Sequence, residues 1–514
     1  MAKPSLDPSR PPHGSFFGHP EGLRTLFFLE MWERFSYYGL RPLLVLFMAA
    51  ALGEGGFALP RDQASSIVGI YGAGVYLASL PGGWLADRLL GLRRAIFSGA
   101  VLISCGHLCI GLSGLGGAAA RLIFYLGLTF IVFGTGLLKP NISAIVGDLY
   151  PEGGARRDAG FSIFYMGINV GALLGQLVTG FLGEVIGWHW GFGAAGVGML
   201  AGLAGYWRSA GRTLGDIGLH PPRHPDPLLQ ARREQGAKRV VRIALALCAA
   251  AAVLVAIGVP APDPRTVGMA MAWLLTLVSF GYFGLLLLSR GLTAGEKKRV
   301  GVIAVLFLFG SVFWSAFEQA PGALNLFAAD FTDRRIGGFL MPATWFQSVN
   351  SLFIILLAPV SALAWERLAA RGRELSIPTK FVLGLLFAAI GFAVMVPAAR
   401  LVEAGGAATR VSPWWLVASY FFQTVGELCL SPVGLSSMTR LSPRRLVGQM
   451  LGMWYLASAM GNLVGGLTGG RVDPRRLEGM AQLFGYTAAA LLAAGVLLAL
   501  LVPPLRRVTE RNYP

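Results

Sequence analysis

The chain has 514 residues, of which 54% are apolar and 13% are charged. A soluble domain carries about 25% charged residues, so the composition excludes a soluble protein and indicates one embedded in a membrane. The formal net charge of +17 would suit a nucleic-acid-binding protein, and the distribution of the basic residues has to decide that question. The four cysteines lie in apolar stretches without metal-ligand spacing, so no metal is expected.

Fourteen apolar stretches are long enough to cross a bilayer as helices, which takes about 20 residues each. They lie near 25–50, 64–86, 95–112, 122–141, 160–182, 190–207, 243–259, 266–289, 300–328, 343–365, 381–398, 413–438, 446–468 and 479–503. The strict alternation typical of a membrane β-barrel is absent. The sequence therefore predicts an all-α membrane protein with 14 transmembrane helices.

The order of these stretches predicts two six-helix bundles with an inserted two-helix hairpin. The expected segments are an N-terminal tail (1–23), a first bundle (24–208), a linker (209–242), the hairpin (243–291), a second bundle (292–503) and a C-terminal tail (504–514). The two hairpin stretches carry no charge and are interpreted as lipid-facing, without a role in transport. Two bundles of six helices are typical of the major-facilitator fold, in which the substrate binds near the bilayer midplane between the halves.

The basic residues are distributed unevenly between the two sides of the membrane. Connections after even-numbered stretches hold 24 lysines and arginines, whereas those after odd-numbered stretches hold 10. This bias places the richer loops and both termini in the cytoplasm. Residues 1–23 lack the pattern of a signal peptide. The positive charge is thus explained by topology, and nucleic-acid binding is not expected.

The first stretch carries charged residues at a depth where they are costly. Ionisable groups inside a bilayer cost several kcal/mol each and usually mark a substrate or proton pathway. At 100° per residue, one helical face of about 140° collects Glu30, Glu33, Arg34, Tyr37, Tyr38 and Arg41. Its formal charge is zero, and it must face protein or water rather than lipid.

The connection after the second stretch resembles the major-facilitator loop motif G-x-x-x-D-R-x-G-R-R, with one extra residue on each side of Gly91. Asp87 would pair with an arginine at the cytoplasmic helix ends and close the inward gate. The alternative is ordinary anchoring by positive charge. The predicted gate residues are Gly83, Asp87, Arg88 and Arg93.

Three further segments sharpen the family resemblance: the E-x-x-E-R-F-x-Y-Y pattern from Glu30 to Tyr38, the segment 134–143 with its K-P-N element, and the segment 161–172. Together with the loop motif they resemble the proton-dependent oligopeptide transporter (POT) family of the major facilitator superfamily. The resemblance covers essentially the whole chain, including the hairpin typical of bacterial members.

The resemblance implies a peptide-binding site in the first half of the chain. Arg41 and Lys139 would hold the peptide's C-terminal carboxylate, and an arginine can donate two charge-assisted hydrogen bonds to such a group. Tyrosines would line the pocket, with Tyr71 and Tyr76 competing for one position and the spacing favouring Tyr76. The remaining implied contacts are Tyr37, Tyr38, and the amides Asn169 and Asn350, which would bond the peptide backbone.

In the second half, the resemblance implies that Glu318 is a protonatable acid facing Arg41. Phe317 stands where some relatives carry a second acid, which leaves a two-carboxylate relay open. Glu427 would bind the peptide's N-terminal ammonium. The other implied substrate contacts are Trp314, Ser431 and Trp454.

Charge counting gives an independent argument for proton coupling. Four acids lie deep in the apolar stretches (Glu30, Glu33, Glu318 and Glu427) against three bases (Arg34, Arg41 and Lys139). One carboxylate is left without a cation and could carry one proton per cycle. The expected proton-coupling residues are Glu30, Glu33, Arg34 and Glu318. Alternatively, some of these charges are structural ion pairs, with Glu33 and Arg34 pairing to Lys139 or to a neighbouring helix.

The sequence therefore predicts a symporter that imports di- and tripeptides with protons by alternating access in the bacterial cytoplasmic (inner) membrane. The alternatives are a symporter of another small solute, nitrate-like or drug-like, and a non-transporting peptide receptor. An enzyme is not expected, because the stretches contain no nucleophile–base pair or metal cluster. The expected partners are peptide, protons and the bilayer, without a cofactor or nucleic acid, and the chain is expected to act as a monomer.

Overall fold

A computed structural model describes residues 16–115, 117–222, 225–256 and 262–510. Most of the predicted N-terminal tail and the last four residues lie outside these ranges. The helices are α1 (Glu21–Ala49), α2 (Arg61–Leu85), α3 (Leu92–Leu112), α4 (Ala120–Asp148), α5 (Gly154–Phe181), α6 (Trp188–Thr213), α7 (Pro227–Ala256), α8 (Pro264–Leu288), α9 (Ala294–Phe317), α10 (Asn325–Phe331), α11 (Trp345–Ala370), α12 (Ile377–Gly405), α13 (Trp414–Leu441), α14 (Val447–Gly469) and α15 (Met480–Glu510).

Shorter elements connect and extend these helices. Single wide π turns continue α2 and α5 and follow α9, at Ala86–Leu90, Leu182–Ile186 and Ala320–Leu324. Short 3-10 turns lie at Leu52–Glu54, Ser113–Leu115, Gly117–Ala119 and Arg444–Leu446. Two strands, β1 (Arg335–Ile336) and β2 (Phe339–Leu340), pair antiparallel in a hairpin before α11.

The helices account for the 14 predicted transmembrane segments. The helices α9 and α10 and the π turn between them form one interrupted segment, and each other helix forms one of its own. Within the described ranges, nine segments are long and apolar enough to cross a membrane by composition alone. The others, such as α1 and α7, carry more charged, amide or glycine residues. The prediction of a 14-helix major-facilitator fold is confirmed.

The helices pack as two bundles, α1–α6 and α9–α15, with α7 and α8 beside them. In the first bundle α1 packs on α5 and α6, and α3 on α4. In the second, α12 packs on α13 and α15, and α14 on α9. The inserted helix α8 lies against α14, α2 and α9. The two bundles meet mainly along α2 with α14 and α5 with α11.

Two helix bounds differ from the sequence-based segments. Helix α6 continues to Thr213 and α7 begins at Pro227, so both ends of the predicted linker 209–242 are helical. Basic side chains are good helix formers, which explains why a polar segment continues the helix. We refer below to the end of the molecule where α1 begins and α15 ends as the terminal end, and to the opposite end as the far end.

Glycines allow the two bundles to approach closely along α2 and α14. A Cβ atom placed on Gly466 would lie 2.6 Å from the Cα of Gly69 and 2.8 Å from the backbone oxygen of Ser65. Real side chains do not tolerate such distances, so the backbones themselves form this contact. Small residues permit the same close approach in membrane helix pairs generally.

Candidate functional site

The charged face of α1 points into the protein. Glu30, Glu33 and Arg34 are 2%, 0% and 2% exposed, respectively, which excludes contact with lipid. Arg34 Nε lies 3.0 Å from Glu30 Oε1 and also pairs with Glu33. Thr135 on α4 donates a hydrogen bond of 3.4 Å to Glu33. Arg34 therefore pairs with two acids of its own helix, rather than with an acid of a neighbouring helix.

Arg41 joins the two bundles two turns after Arg34 along α1. Its Nη2 forms an ion pair with Glu318, which follows the last residue of α9, and donates a hydrogen bond of 2.6 Å to Oδ1 of Asn462 on α14. The small cavity beside this pair, lined also by Ser65 and Pro321, has no volume accessible to a water molecule. The predicted pairing of Arg41 with Glu318 is present, and both side chains are buried.

Lys139 on α4 has a different environment from Arg41. Its Nζ lies 4.3 Å from the ring centroid of Tyr76 on α2, a cation–π distance. Within the described chain no carboxylate lies within 4.0 Å of this ammonium. Lys139 still interacts electrostatically with Glu30 and Glu318. Lys139 is thus a half-buried cation with no described acid in direct contact. We use the term polar cleft for the partly exposed polar region between the bundles that contains it.

The tyrosines divide into a buried pair and a cleft-lining pair. Tyr71 is 3% exposed and stacks on Tyr37, with ring centroids 6.0 Å apart. Tyr76 is half-buried and stacks at 6.3 Å on Tyr455 of α14, across the boundary between the bundles. Tyr38 packs edge-on against Tyr37 at 5.1 Å. The geometry favours Tyr76 over Tyr71 as the residue beside Lys139.

The second bundle contributes an amide–acid pair. Asn350 on α11 donates hydrogen bonds from Nδ2 to Glu427 Oε2 at 3.1 Å and to Thr424 Oγ1 at 2.9 Å, both on α13. Glu427 is half-buried and interacts electrostatically with Tyr38 and Glu318. The carboxylate therefore lies on the side of the polar cleft formed by the second bundle, where Asn350 donates a hydrogen bond to it.

Most of the other residues that were predicted to contact substrate interact with neighbouring residues of the protein. Asn169 donates to the backbone oxygen of Tyr165 in its own helix at 3.0 Å. Trp314 packs edge-on against Phe317, and Ser431 is half-buried one turn after Glu427.

Trp454 is 4% exposed and lies inside the second bundle. Its ring is 6.2 Å from that of Phe381 on α12. A Cβ on Gly310 would lie 3.2 Å from the indole, and one on Gly434 would overlap it. Its predicted role in a side-chain pocket stays a prediction.

The predicted gate motif at the terminal end is arranged differently from the expectation. Asp87 has no cation within 4.0 Å among the described residues, so the expected Asp87–arginine pair is not formed. The guanidinium of Arg88 lies 5.9 Å from the ring centroid of Trp84, and Arg93 donates to the backbone oxygen of Gly215 at 2.5 Å. A wide π turn, Ala86–Leu90, runs through Asp87 and Arg88. A Cβ on Gly83 would contact only Pro140, at 3.8 Å.

At the far end, polar contacts hold the bundles together. Arg61 on α2 pairs with Asp330 on α10 and donates to the backbone oxygen of Val472 at 3.0 Å. Glu184 of the first bundle accepts hydrogen bonds from the backbone nitrogens of Ala343 and Thr344 at 2.7 and 2.9 Å, just before α11. The far end is therefore closed, while Lys139 and Glu427 remain partly exposed inside the molecule.

Sequence reasoning missed Asn462, Thr135 and Thr424, each of which contacts a predicted residue. Asn462 is the only asparagine of the glycine-rich and mostly apolar stretch 446–468, and an amide in such a position is a detectable signal. The threonines give no such signal, because a helical hydroxyl can bond to its own backbone.

Comparison with known proteins gives a family match over most of the chain. The profile of the POT family matches residues 93–213 and 285–474. The chain is 46% identical to the peptide transporter YePEPT of Yersinia enterocolitica, over 97% of both chains. It is 36% identical to a di-/tripeptide transporter of Lactococcus lactis, over 87% of this chain and 88% of that one.

Solved structures show the same fold. A crystal structure of the peptide transporter POT in complex with sulfate superposes with a TM-score of 0.87 at 39% identity, covering 97% of both chains. A POT family transporter in complex with 5-aminolevulinic acid gives 0.84 at 34% identity, over 96% of this chain and 98% of that one. The chain belongs to the POT family, whose members are multi-pass membrane transporters.

Proposed function

We propose that this protein is a proton-coupled symporter that imports di- and tripeptides by alternating access. The observation that carries the proposal is that the two bundles bring groups of opposite charge to the polar cleft between them. Arg41 and Lys139 stand on the first bundle, and Glu427, oriented by Asn350, stands on the second. The relatives named as peptide and di-/tripeptide transporters support the choice of substrate.

A short peptide with free ends matches this charge arrangement. Its carboxylate would bind between Arg41 and Lys139, and its ammonium would bind to Glu427. Both ends lose water on binding, and charge-assisted hydrogen bonds replace that hydration. The end groups are common to all peptides, so these contacts select length and free termini rather than side chains.

Proton coupling would act through the ion pair of Arg41 and Glu318. A buried ion pair is costly to break while both groups stay charged. Protonation of Glu318 removes that cost and frees Arg41 for the peptide carboxylate. The bundles then rock, the peptide leaves, and deprotonation of Glu318 restores the pair. In this cycle the proton gradient is the energy source and no cofactor takes part.

The orientation follows from the basic loops. The terminal end carries the loops richer in lysine and arginine, so it lies in the cytoplasm and both termini are cytoplasmic. With the far end closed by Arg61 and Glu184, the structure corresponds to an inward-facing or occluded state. We propose that the protein acts as a monomer in the inner membrane, because the two bundles of a single chain together supply the basic and acidic groups of the site.

A second candidate is a symporter of small non-peptide zwitterions. The related transporter solved with 5-aminolevulinic acid binds a molecule that carries an amine and a carboxylate on a short chain. The carboxylate of such a ligand could bind to Arg41 and Lys139, and its amine could bind to Glu427. It differs from a dipeptide in lacking the backbone amide.

The test is uptake of a labelled dipeptide into proteoliposomes with an acidic exterior. Competitors are di-, tri- and tetrapeptides with free or blocked ends, and 5-aminolevulinic acid. We expect free di- and tripeptides to compete, tetrapeptides to compete weakly, and blocking either end to abolish competition. Uptake of labelled 5-aminolevulinic acid without uptake of the labelled dipeptide would favour the second candidate.

The same vesicles test the coupling. Glu318→Gln should retain exchange of labelled for unlabelled peptide but lose accumulation driven by a pH gradient. Accumulation by this variant would refute the assignment of Glu318. Binding without any uptake by the wild type would indicate a receptor.

A further inference from the structure

A groove of about 240 Å³ lies between α1 and α6, away from the polar cleft. Its walls on α1 are formed by Arg24, Thr25, Phe28, Leu29 and Trp32. At 100° per residue, these positions centre on the side of α1 opposite to the charged face. The groove therefore opens on the outer surface of the first bundle, where a membrane protein meets lipid.

The lower part of the groove is apolar and open. Phe28, which lines this part, is 45% exposed. Gly205 forms part of the floor, and a Cβ placed there would meet no atom within 4 Å. A volume of about 240 Å³ falls below the roughly 300–1,000 Å³ of pockets for drug-sized ligands. An open apolar channel of this size suits a single hydrocarbon chain.

The upper part of the groove, at the terminal end, is polar. Thr25 is 6% exposed and its hydroxyl bonds to Ser209 at 3.1 Å and Thr213 at 2.9 Å, so these hydroxyls satisfy one another. Arg24 is exposed and has neither an ion pair nor a hydrogen bond with any residue that the structure describes. Glu21 lies one turn before it and is the nearest acid in sequence. The guanidinium is thus available to an external anion.

The spacing of these features fits the bilayer. Arg24 and Trp32 are eight residues apart, which corresponds to about 12 Å along a helix. One leaflet of the hydrocarbon core is about 15 Å thick, half of the whole core. A basic side chain at one end of an apolar channel of this length would lie at headgroup level, where long side chains extend to the interface.

We propose that this groove binds one anionic phospholipid, with its phosphate at Arg24 and one acyl chain along Phe28, Trp32 and Gly205. The occupant is a bilayer lipid because the groove faces the membrane and its apolar part needs a chain rather than a free phosphate. Basic residues near an anionic membrane surface contribute about 1 kcal/mol each. The lipid would lie behind α1, on the face opposite to the coupling residues, and would hold α1 against α6.

The experiment uses the full-length protein in nanodiscs that contain a photoactivatable phospholipid with a diazirine on its acyl chain. The headgroup is either phosphatidylglycerol or phosphatidylcholine, and cross-linked residues are identified by mass spectrometry. We expect cross-links on the segment 28–32 of α1 and on 201–205 of α6, about fivefold more with the anionic lipid, as expected for about 1 kcal/mol.

Two substitutions and a matched control make the test specific. Gly205→Phe fills the groove and should lower cross-linking at least fivefold. Gly193→Phe, on the same helix and also with no atom within 4 Å of its Cβ position, should leave it unchanged. Arg24→Gln should remove the preference for the anionic headgroup. If Gly205→Phe does not fold, Gly205→Leu replaces it.

Three results would overturn the proposal. The first is an absence of cross-links on these segments in the wild type. The second is equal labelling of Gly205→Phe and Gly193→Phe. The third is an undiminished headgroup preference in Arg24→Gln. Peptide uptake is measured in parallel only to confirm folding, so failure of the proposed transport function would leave this test intact.

Discussion

Asn462 and Arg41 come from opposite halves of the chain and meet through a hydrogen bond of 2.6 Å. The same Nη2 atom of Arg41 also pairs with Glu318, while Nδ2 of Asn462 donates to the backbone oxygen of Ser458 at 2.9 Å. The amide is thereby fixed by its own helix, with its oxygen towards the arginine. Arg41 keeps a positioned neutral partner when the charge on Glu318 is removed.

The first prediction concerns this amide. Asn462→Ala should lower the affinity for a labelled dipeptide about tenfold or more, because a hydrogen bond to a charged group contributes about 1.5–3 kcal/mol. Binding is measured by calorimetry on purified protein at a pH where peptide binds the wild type. Ser458→Ala is the control, since Asn462 bonds to the backbone of Ser458 and not to its hydroxyl. Unchanged affinity in Asn462→Ala would show that Arg41 needs no second partner.

The second prediction concerns closure of the far end. Glu184→Gln keeps the size of the side chain but loses one acceptor for the backbone nitrogens of Ala343 and Thr344, and loses its charge opposite Arg334. We expect the far end to open about tenfold more often, because the closed state loses about 1.5 kcal/mol of stabilising hydrogen-bond free energy. Distances between spin labels at 186 and 340, measured by electron resonance in a cysteine-free background, report the change.

Arg335→Gln is the matched control for Glu184→Gln. Arg335 lies next to Arg334, is exposed and forms no ion pair with a described residue. Its substitution should leave the distance distribution as in the wild type. Identical distributions in all three proteins would mean that Glu184 does not hold the far end closed.

The third prediction concerns the glycine contact of α2 with α14. Gly466→Ala places a methyl group 2.6 Å from the Cα of Gly69, and overpacking of this kind costs about 1–3 kcal/mol. We expect a lower melting temperature of the purified protein. Gly448→Ala, at the start of the same helix, meets no atom within 4 Å and should be neutral or stabilising, since alanine favours helix. A melting temperature of Gly466→Ala at or above that of Gly448→Ala would contradict the described helix contact.

The fourth prediction concerns pH at the terminal end. Burial and the charge of Arg156 lower the pKa of His19 from 6.5, and its Nδ1 lies 2.9 Å from the hydroxyl of Tyr150. Because the pKa is lowered in the folded state, the contribution of His19 to the stability of the folded protein is complete above about pH 6.5. This contribution is lost as the pH falls through the lowered pKa. Acidification should therefore loosen the segment 16–20.

Hydrogen exchange of residues 16–25 between pH 8 and pH 5, corrected for intrinsic rates, checks this expectation. His19→Gln should remove the pH dependence of exchange that remains after this correction. Equal protection of the wild type at pH 8 and at pH 5 would refute the role of His19.

Much of the site was predictable because charged side chains within a membrane can face only protein or water. The spacing from Glu30 to Arg41 fixes one helical face, and a bilayer forces that face inward. The pairing of Arg41 with Glu318 follows once the family resemblance places the two residues opposite each other. These features depend on sequence separation along one helix or on a motif, and both can be read from the chain.

Other parts depend on packing that the sequence does not specify. Arg34 had several acids within reach, and only the packed structure shows that it pairs with Glu30 and Glu33 rather than across helices. The expected Asp87–arginine pair is absent among the described residues, and the two extra residues around Gly91 give no indication that Arg93 donates to the backbone oxygen of Gly215.

The interruption between α9 and α10 places two polar contacts on one short stretch of chain. Glu318 lies immediately before the break, and Asp330, the partner of Arg61, lies beyond it on a seven-residue helix. The π turn Ala320–Leu324, which contains Pro321 and Gly322, joins these two parts of the segment. If Glu318 carries the coupling proton as proposed, a change in its charge would reach the Arg61–Asp330 ion pair at the far end through one continuous piece of backbone.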